Sequence, residues 1–388
     1  MTVETENHDY YLLYGDKLLA FIRRLFKGSP EFRHDSLKYV ARLAPYIPFL
    51  GGRPDFSPAL KTVIRFPDKS LPLSFSAPII LAAGANKTAN RIADFANLGF
   101  GGVSVGTATR RYREGNTHRP RIGFLEEDRA IYNSMGLNND GVEAVAKRVD
   151  EQLVRAHKSG MSVGISIAET PGLLSEREKI QDVLETFAIA YKAADYIEIN
   201  VSCPNTGEDR LDLNTRFVET LFSEIMNFRQ SQAIRKAVYA KLSPDFSEHQ
   251  LISTLEVLVR YGVNGVVVGN TFPTRKIAEL PMFAKYDELK VLRSDGDKGG
   301  LSGRPLYHNT YALTRFVKAR FPQLSVIACG GIDHGLKVFD LMLSGADAVQ
   351  CYSVCAFRWM PAHAMRRELL WALQKANLKS IDELHTNE

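Results

Sequence analysis

Cysteine is scarce in this chain: Cys203, Cys329, Cys351 and Cys355 are the four among 388 residues. They form no CxxC pair and stand with no histidines at ligand spacing, which argues against a metal site and fits a chain that keeps its thiols reduced. Long apolar runs are missing too. No stretch approaches the roughly 20 apolar residues of a membrane span, and the acidic opening MTVETENHDYY has no basic segment leading into an apolar core, so it does not read as a secretory signal. There is no Lys/Arg run interleaved with stacking aromatics, and the formal net charge is only +5, so nucleic acid is not an expected partner. Low-complexity tracts are absent, and 45% hydrophobic with 24% charged residues is the composition of a folded globular protein. The expected compartment is the cytoplasm, with contact to a membrane surface left open.

What is present from about residue 78 onward is a recurring unit: a short apolar run, a turn, then an amphipathic stretch. The runs are PIILAAG, GGVSVGT, VGISIA, YIEINVS, VYAKLS, GVVVGN, SVIACGG and AVQCYS. Most are continuously apolar and rich in Val and Ile, as strands buried on both faces are, and segments such as VEAVAKRVDEQLVRAH and HQLISTLEVLVRYG between them have helical periodicity. Eight such units in series predict a closed parallel (β/α)8 barrel. A doubly wound sheet would also alternate strand and helix. However, no GxGxxG follows the first run, and the polar residues lie at the ends of many runs rather than at one switch point.

Two segments, 108–140 and 272–304, are too long for ordinary connections and read as lids or binding loops over the barrel mouth. Residues 1–70 are expected to form a helical extension ahead of a catalytic domain spanning 71–388. In LLAFIRRLF, the residues Leu18, Leu19, Ile22, Leu25 and Phe26 form an apolar stripe ringed by basic residues, and HDSLKYVARLAPYI follows a Ser-Pro break as a second helix of a hairpin. Such a basic amphipathic helix either packs on the fold or lies on a membrane.

The run ends suggest chemistry. GGID and YS close the last two runs, where barrels commonly bind phosphate. Lys87 and Lys241 place cations at the ends of the first and fifth runs, and Asn133, Asn138, Asn200, Asn205 and Asn270 supply paired donors and acceptors suited to a planar ligand with N–H and C=O edges. Asparagine also stabilises turns, and Cys203 in NVSCPNT reads equally well as a small apolar filler at a strand end.

Taken together, LAAGANK, GFGGVSVGT, EGNTHRPR, NSMGLNN, EINVSCPNT, AKLSPDFSE, GNT, GGLSGRPL, ACGGID and VQCYS resemble dihydroorotate dehydrogenase from about residue 75 to 357, in family order. SPEFRHDSLKYV, with His34, is similar to the N-terminal hairpin of the membrane-associated, quinone-linked class. The resemblance implies oxidation of dihydroorotate to orotate with FMN as cofactor and a quinone as expected acceptor. It also implies peripheral attachment to the inner face of the cell membrane through the N-terminal helices. It assigns Ala83, Gly84, Lys87, Thr107, Ser166, Asn200, Lys241, Gly269, Gly303, Gly331, Tyr352 and Ser353 to FMN. Lys87, Asn133, Ser134, Met135, Gly136, Leu137, Asn200, Asn205, Asn270 and Thr271 would hold the substrate, and Cys203 would be the base.

The chain departs from the quinone-linked pattern in several places. Cys203 stands where that class has serine and the soluble classes have cysteine. Ser166 replaces an asparagine, Gly269 a threonine and Phe124 an arginine near the quinone, and NSMGL is closer to the soluble classes. A soluble acceptor such as fumarate, or a silent flavin-binding module, are the alternatives. The chemistry tolerates the cysteine, because a thiol with an ordinary pKa of about 8.5 ionises far more easily than a serine hydroxyl.

Overall fold

The structure is a computed structural model that describes Lys17, Glu31, Ala41, Arg42 and residues 56–201, 215–273 and 299–385. In chain order its strands are β1 (Thr62–Ile64), β2 (Leu73–Phe75), β3 (Ile79–Leu81), β4 (Gly102–Ala108), β5 (Ile122–Leu125), β6 (Ala130–Asn133), β7 (Ser162–Ile167), β8 (Tyr196–Asn200), β9 (Ala237–Leu242), β10 (Gly265–Val268), β11 (Phe272–Pro273), β12 (Gly300–Gly303), β13 (Ser325–Cys329) and β14 (Ala348–Cys351). Strands β3, β4, β7, β8, β9, β10, β13 and β14 close on themselves as a parallel eight-stranded barrel, one strand for each apolar run of the sequence.

The helices are α1 (Val142–Lys158), α2 (Glu176–Ala193), α3 (Thr215–Gln230), α4 (Glu248–Arg260), α5 (Tyr307–Arg320), α6 (Gly335–Leu343) and α7 (Pro361–Lys375). Local chemistry fixes where two of them begin. Ser175 with Glu178, and Ser247 with Gln250, form reciprocal capping boxes that satisfy the first free N–H groups of α2 and α4. On α1 the buried residues are Val142, Val145, Ala146, Val149 and Ala156, the stripe expected of a helix laid on a sheet. The crossover after β3 is a 3-10 helix, Ile92–Leu98, rather than an α-helix.

Two tyrosines fill the N-terminal end of the barrel. Tyr196 and Tyr239 meet edge to face with ring centroids 5.9 Å apart, and the Tyr239 hydroxyl bonds Ser325 Oγ at 2.9 Å. Glycine on the neighbouring strands makes the room: a Cβ on Gly164 would lie 2.3 Å from the Tyr196 ring, and one on Gly265 2.6 Å from that of Tyr239. The β1–β2 hairpin closes this end, burying Ile64, Phe66, Leu73 and Phe75 against the same cluster. Buried Arg229 ties its loop down through Asp68 and Ser70. Residue 70, the expected domain boundary, lies in the loop between β1 and β2 of this hairpin.

The opposite end of the barrel is the mouth. The two insertions meet over it in one antiparallel sheet of order β11-β12-β6-β5. Pairing of β5 with β6 sets Ile122 opposite Asn133 and Phe124 opposite Ile131, while β12 adds Ser302 opposite Ile131. Residues directly opposite share a face, so Ile122, Phe124, Ile131, Asn133 and Ser302 lie on one side. Leu125, Ala130, Tyr132 and Leu301 pack with Phe272 and Leu306 on the other. The expected helical hairpin, with Leu18, Ile22, Phe26 and His34, lies outside the described residues. Of that region, buried Ala41 accepts a hydrogen bond from Asn97 Nδ2 at 3.2 Å.

Candidate active site

A cleft opens at the C-terminal ends of the barrel strands beneath the antiparallel sheet. Of the residues expected at a site, Ala83, Gly84, Lys87, Thr107, Asn133, Met135, Leu137, Asn200, Lys241, Asn270, Thr271, Gly303, Gly331, Tyr352 and Ser353 line it. They come from seven barrel-strand ends and from both insertions, so closure of the barrel is what brings them together.

One wall is a row of short polar side chains. Ser166 Oγ and Thr107 Oγ1 are 3.0 Å apart, Asn200 Nδ2 donates to Thr107 Oγ1 at 3.2 Å, and Asn270 Nδ2 donates to Asn200 Oδ1 at 3.3 Å. Asn270 Oδ1 in turn accepts from the Thr271 N–H at 2.9 Å. These bonds fix the amide orientations from within. Across the mouth, Lys87 Nζ donates to Asn138 Oδ1 at 2.6 Å, and Asn133 Nδ2 donates to the Gly300 carbonyl at 3.4 Å.

The floor is charged. Lys241 at the end of β9 is only 3% exposed, and Glu198 and Gln350 are fully buried inside the barrel. The Gln350 amide donates to Glu198 Oε1, while Glu198 Oε2 and Gln350 Oε1 have no hydrogen-bond partner among the described residues. Burial pushes the Cys329 thiol up, against the pull of the Lys241 ammonium beside it; Glu198 adds to the upward push. At the far end, Asp333 receives Lys337 Nζ at 2.7 Å and Arg304 Nε at 2.9 Å. Burial alone would raise this carboxyl, and the two cations outweigh it and hold it below the ordinary range. Arg358 Nη1 donates to the Asp333 carbonyl at 3.1 Å, so three cations gather beside the GGID turn.

Four expected residues stand behind the wall rather than on it. Ser166 is fully buried and reaches the cleft through Thr107. Ser134 is buried, with its hydroxyl and carbonyl both accepting from Asn116 Nδ2 at 3.0 Å. Gly136, at φ 71°, and Gly269, at φ 101°, sit where a Cβ would come within 2.3 Å of Asn116 Oδ1 and 2.0 Å of the Cys329 carbonyl. Their part is to let backbones approach closely. Cys203 and Asn205 lie outside the described residues.

Sequence reasoning passed over Glu198 and Gln350. The available signal was a charged or amide residue in the middle of YIEINVS and AVQCYS, where period-2 alternation aims it into the barrel. Arg304, Asp333 and Arg358 were passed over as well. The first two stand inside GGLSGRPL and GGID, but only closure of the barrel shows that they meet.

Comparison with known proteins gives a consistent result. A family model described as dihydroorotate dehydrogenase matches residues 68–370. The chain is 33% identical over 368 residues to a dihydroorotate dehydrogenase (quinone) from Chelativorans sp. (strain BNC1), covering 93% of each chain. It is also 33% identical over 301 residues to a protein of the same name from Xanthomonas axonopodis pv. citri (strain 306), covering 76% of this chain and 81% of that one. Among solved structures, ligand-free DHODH from Eimeria tenella superposes with a TM-score of 0.76 at 28% identity, over 92% of this chain and 98% of that chain.

Proposed function

The chain belongs to the dihydroorotate dehydrogenase family, and from that premise we propose that it oxidises dihydroorotate to orotate in pyrimidine synthesis, with FMN held in the cleft and a quinone as electron acceptor. The observation that carries this reading is the convergence of Lys87, Thr107, Asn200, Lys241 and Asn270 on one cleft at the barrel mouth.

The donor set fits FMN. Gly84, at φ 102°, lines the cleft with nothing within 4 Å of where a Cβ would stand, which leaves a smooth surface for a ring. Lys241 and the Asn200 amide suit the polar edge of a flavin, and the cations around Asp333 suit a phosphate. When bound, FMN would take the hydride from the substrate.

The remaining steps fall to the chain's own residues. Lys241 would hold positive charge against the polar edge of the bound ring. Asn133, Asn200, Asn205 and Asn270 pair with the N–H and C=O edges of the pyrimidine, Lys87 faces its carboxylate, and the insertion sheet keeps water out. Cys203, three residues after Asn200, takes the C5 proton; as a thiol it needs less help to ionise than a serine hydroxyl.

An apolar cluster at the mouth supports an apolar acceptor. Ile122, Ile131, Met135 and Phe357 are buried together, with Phe124 packed edge to face on Phe357 at 6.3 Å. No helix among the described residues is long and apolar enough to cross a membrane. The basic amphipathic pattern around Leu18, Ile22 and Phe26 supports peripheral attachment of the N-terminal segment at the inner face of the membrane. Cys203 and the NSMGL segment, which resemble the soluble classes, and Phe124 in place of an arginine favour fumarate instead. The test is to purify the protein anaerobically, record the flavin spectrum, reduce it with dihydroorotate, and offer a quinone and fumarate in separate reactions. Faster reoxidation by quinone is expected, and faster reoxidation by fumarate would place the chain functionally with the soluble classes.

A further inference from the structure

Glu31 lies in the N-terminal segment, 90 residues from the side chain it holds. Its Oε1 accepts from the Arg121 backbone N–H at 3.1 Å and from Arg121 Nε at 3.3 Å, and its Oε2 accepts from Arg121 Nη2 at 3.4 Å. Arg119 Nε approaches the same carboxylate at 3.4 Å. Arg121 is buried, and its remaining nitrogen, Nη1, donates to the Glu114 carbonyl at 2.9 Å. Removing Glu31 would leave a buried guanidinium without its counter-charge, a large local perturbation.

Arg121 also supports the segment expected to hold substrate. Its carbonyl accepts from the Ser134 N–H at 2.7 Å. Asn116, from the same insertion, donates its side-chain amide to the Ser134 carbonyl at 3.0 Å and its backbone N–H to the Met135 carbonyl at 3.1 Å. Asn133, Met135 and Leu137 of this segment line the cleft. An unbroken line of hydrogen bonds thus runs from Glu31 through Arg121 to Ser134, inside the substrate segment.

We propose that Glu31 is a positioning residue for the substrate segment 133–137, so that affinity for dihydroorotate and orotate depends on its ion pair with Arg121. The inference rests on the function proposed above. It makes the element expected to meet the acceptor also the support of the substrate site, and so joins the two halves of the reaction in one ion pair.

The test uses the full-length, FMN-loaded protein and the change in flavin absorbance on titration with orotate. Glu31→Gln should weaken orotate binding about 5- to 30-fold and raise the KM for dihydroorotate by a similar factor. Flavin content and kcat at saturating dihydroorotate should stay within about twofold of the parent. Arg121→Lys, which removes the guanidinium fork from the other side, should show the same split, and Glu31→Asp should recover part of the affinity. Orotate affinity in Glu31→Gln within about twofold of the parent would overturn the proposal. So would a parallel loss of flavin and affinity, since that is general loosening. A parent protein whose flavin spectrum does not respond to orotate would instead sink the proposed function.

Discussion

Lys87 Nζ donates to Asn138 Oδ1 at 2.6 Å, joining the turn after the first barrel strand to the loop that follows β6 at the mouth. In the proposed function, the amide would preset the ammonium for a substrate carboxylate. A charge-assisted hydrogen bond contributes about 1.5–3 kcal/mol. Lys87→Ala should therefore weaken orotate binding about 10- to 150-fold, with an effect that shrinks as salt is raised, because a cation has been lost. Asn138→Ala removes only the support and should cost less than about fivefold. Equal losses in the two variants, read by the same titration, would mean that Lys87 does not face the substrate.

Asn270 Nδ2 donates to Asn200 Oδ1 at 3.3 Å, which holds the two amides in one orientation where they line the cleft. Truncating Asn133, Asn200 or Asn270 to alanine should leave one polar group of a bound pyrimidine unpaired, at roughly 1–3 kcal/mol or about 5- to 150-fold in orotate affinity. Normal orotate binding by two of the three variants would show that these asparagines serve only the turns.

Acid should unfold the protein through a small set of carboxylates. For Glu31, Asp68 and Asp333, burial raises the pKa, and their arginine, lysine or serine partners outweigh it, so each lies below its ordinary value of 4.5, 3.8 and 3.8. A carboxyl with a depressed folded-state pKa contributes stability that is present above the unfolded pKa and is lost as pH falls through the folded one. The urea midpoint should accordingly hold steady from neutral pH down to about pH 5 and fall below about pH 4. Asp333→Asn should flatten that fall. A midpoint that declines already between pH 7 and 5 would point to a different set of groups.

The thiols should separate sharply in reactivity. Cys329 and Cys351 are buried, and burial pushes these two thiols and that of Cys355 up, leaving all three protonated at neutral pH. A haloacetamide at neutral pH should modify Cys203 first, and orotate should protect it. Peptide mapping that finds Cys329 or Cys351 labelled first, or labelling of Cys203 that orotate does not slow, would contradict the assignment of the base.

The eight barrel strands were legible because most are continuous apolar runs, bounded by turn residues and buried on both faces. The β1–β2 plug was not, since three-residue strands carry too little periodicity to stand out. The sheet over the mouth was hidden for a different reason. Its strands β6 and β12 are 167 residues apart where Asn133 meets Gly300, and nothing local to either segment names the other. The same holds for Glu31 and Arg121. At the site, the strand-end positions of Lys87, Asn200 and Lys241 could be read because parallel barrels put chemistry there. Ser166 and Gly269 stand at the same kind of position, yet pack behind the wall, a distinction that only side-chain direction and close backbone approach decide.

The central claim, that this cleft oxidises dihydroorotate with Cys203 as base, is tested most directly by anaerobic stopped-flow measurement of flavin bleaching on mixing with dihydroorotate. The parent should bleach rapidly. Cys203→Ala should retain its yellow flavin and bleach at least about two orders of magnitude more slowly, the lower end of what a positioned general base contributes, while Cys203→Ser should keep partial activity with its pH dependence moved upward. A parent flavin that dihydroorotate leaves oxidised, or an alanine variant that bleaches at the parent rate, would contradict the account.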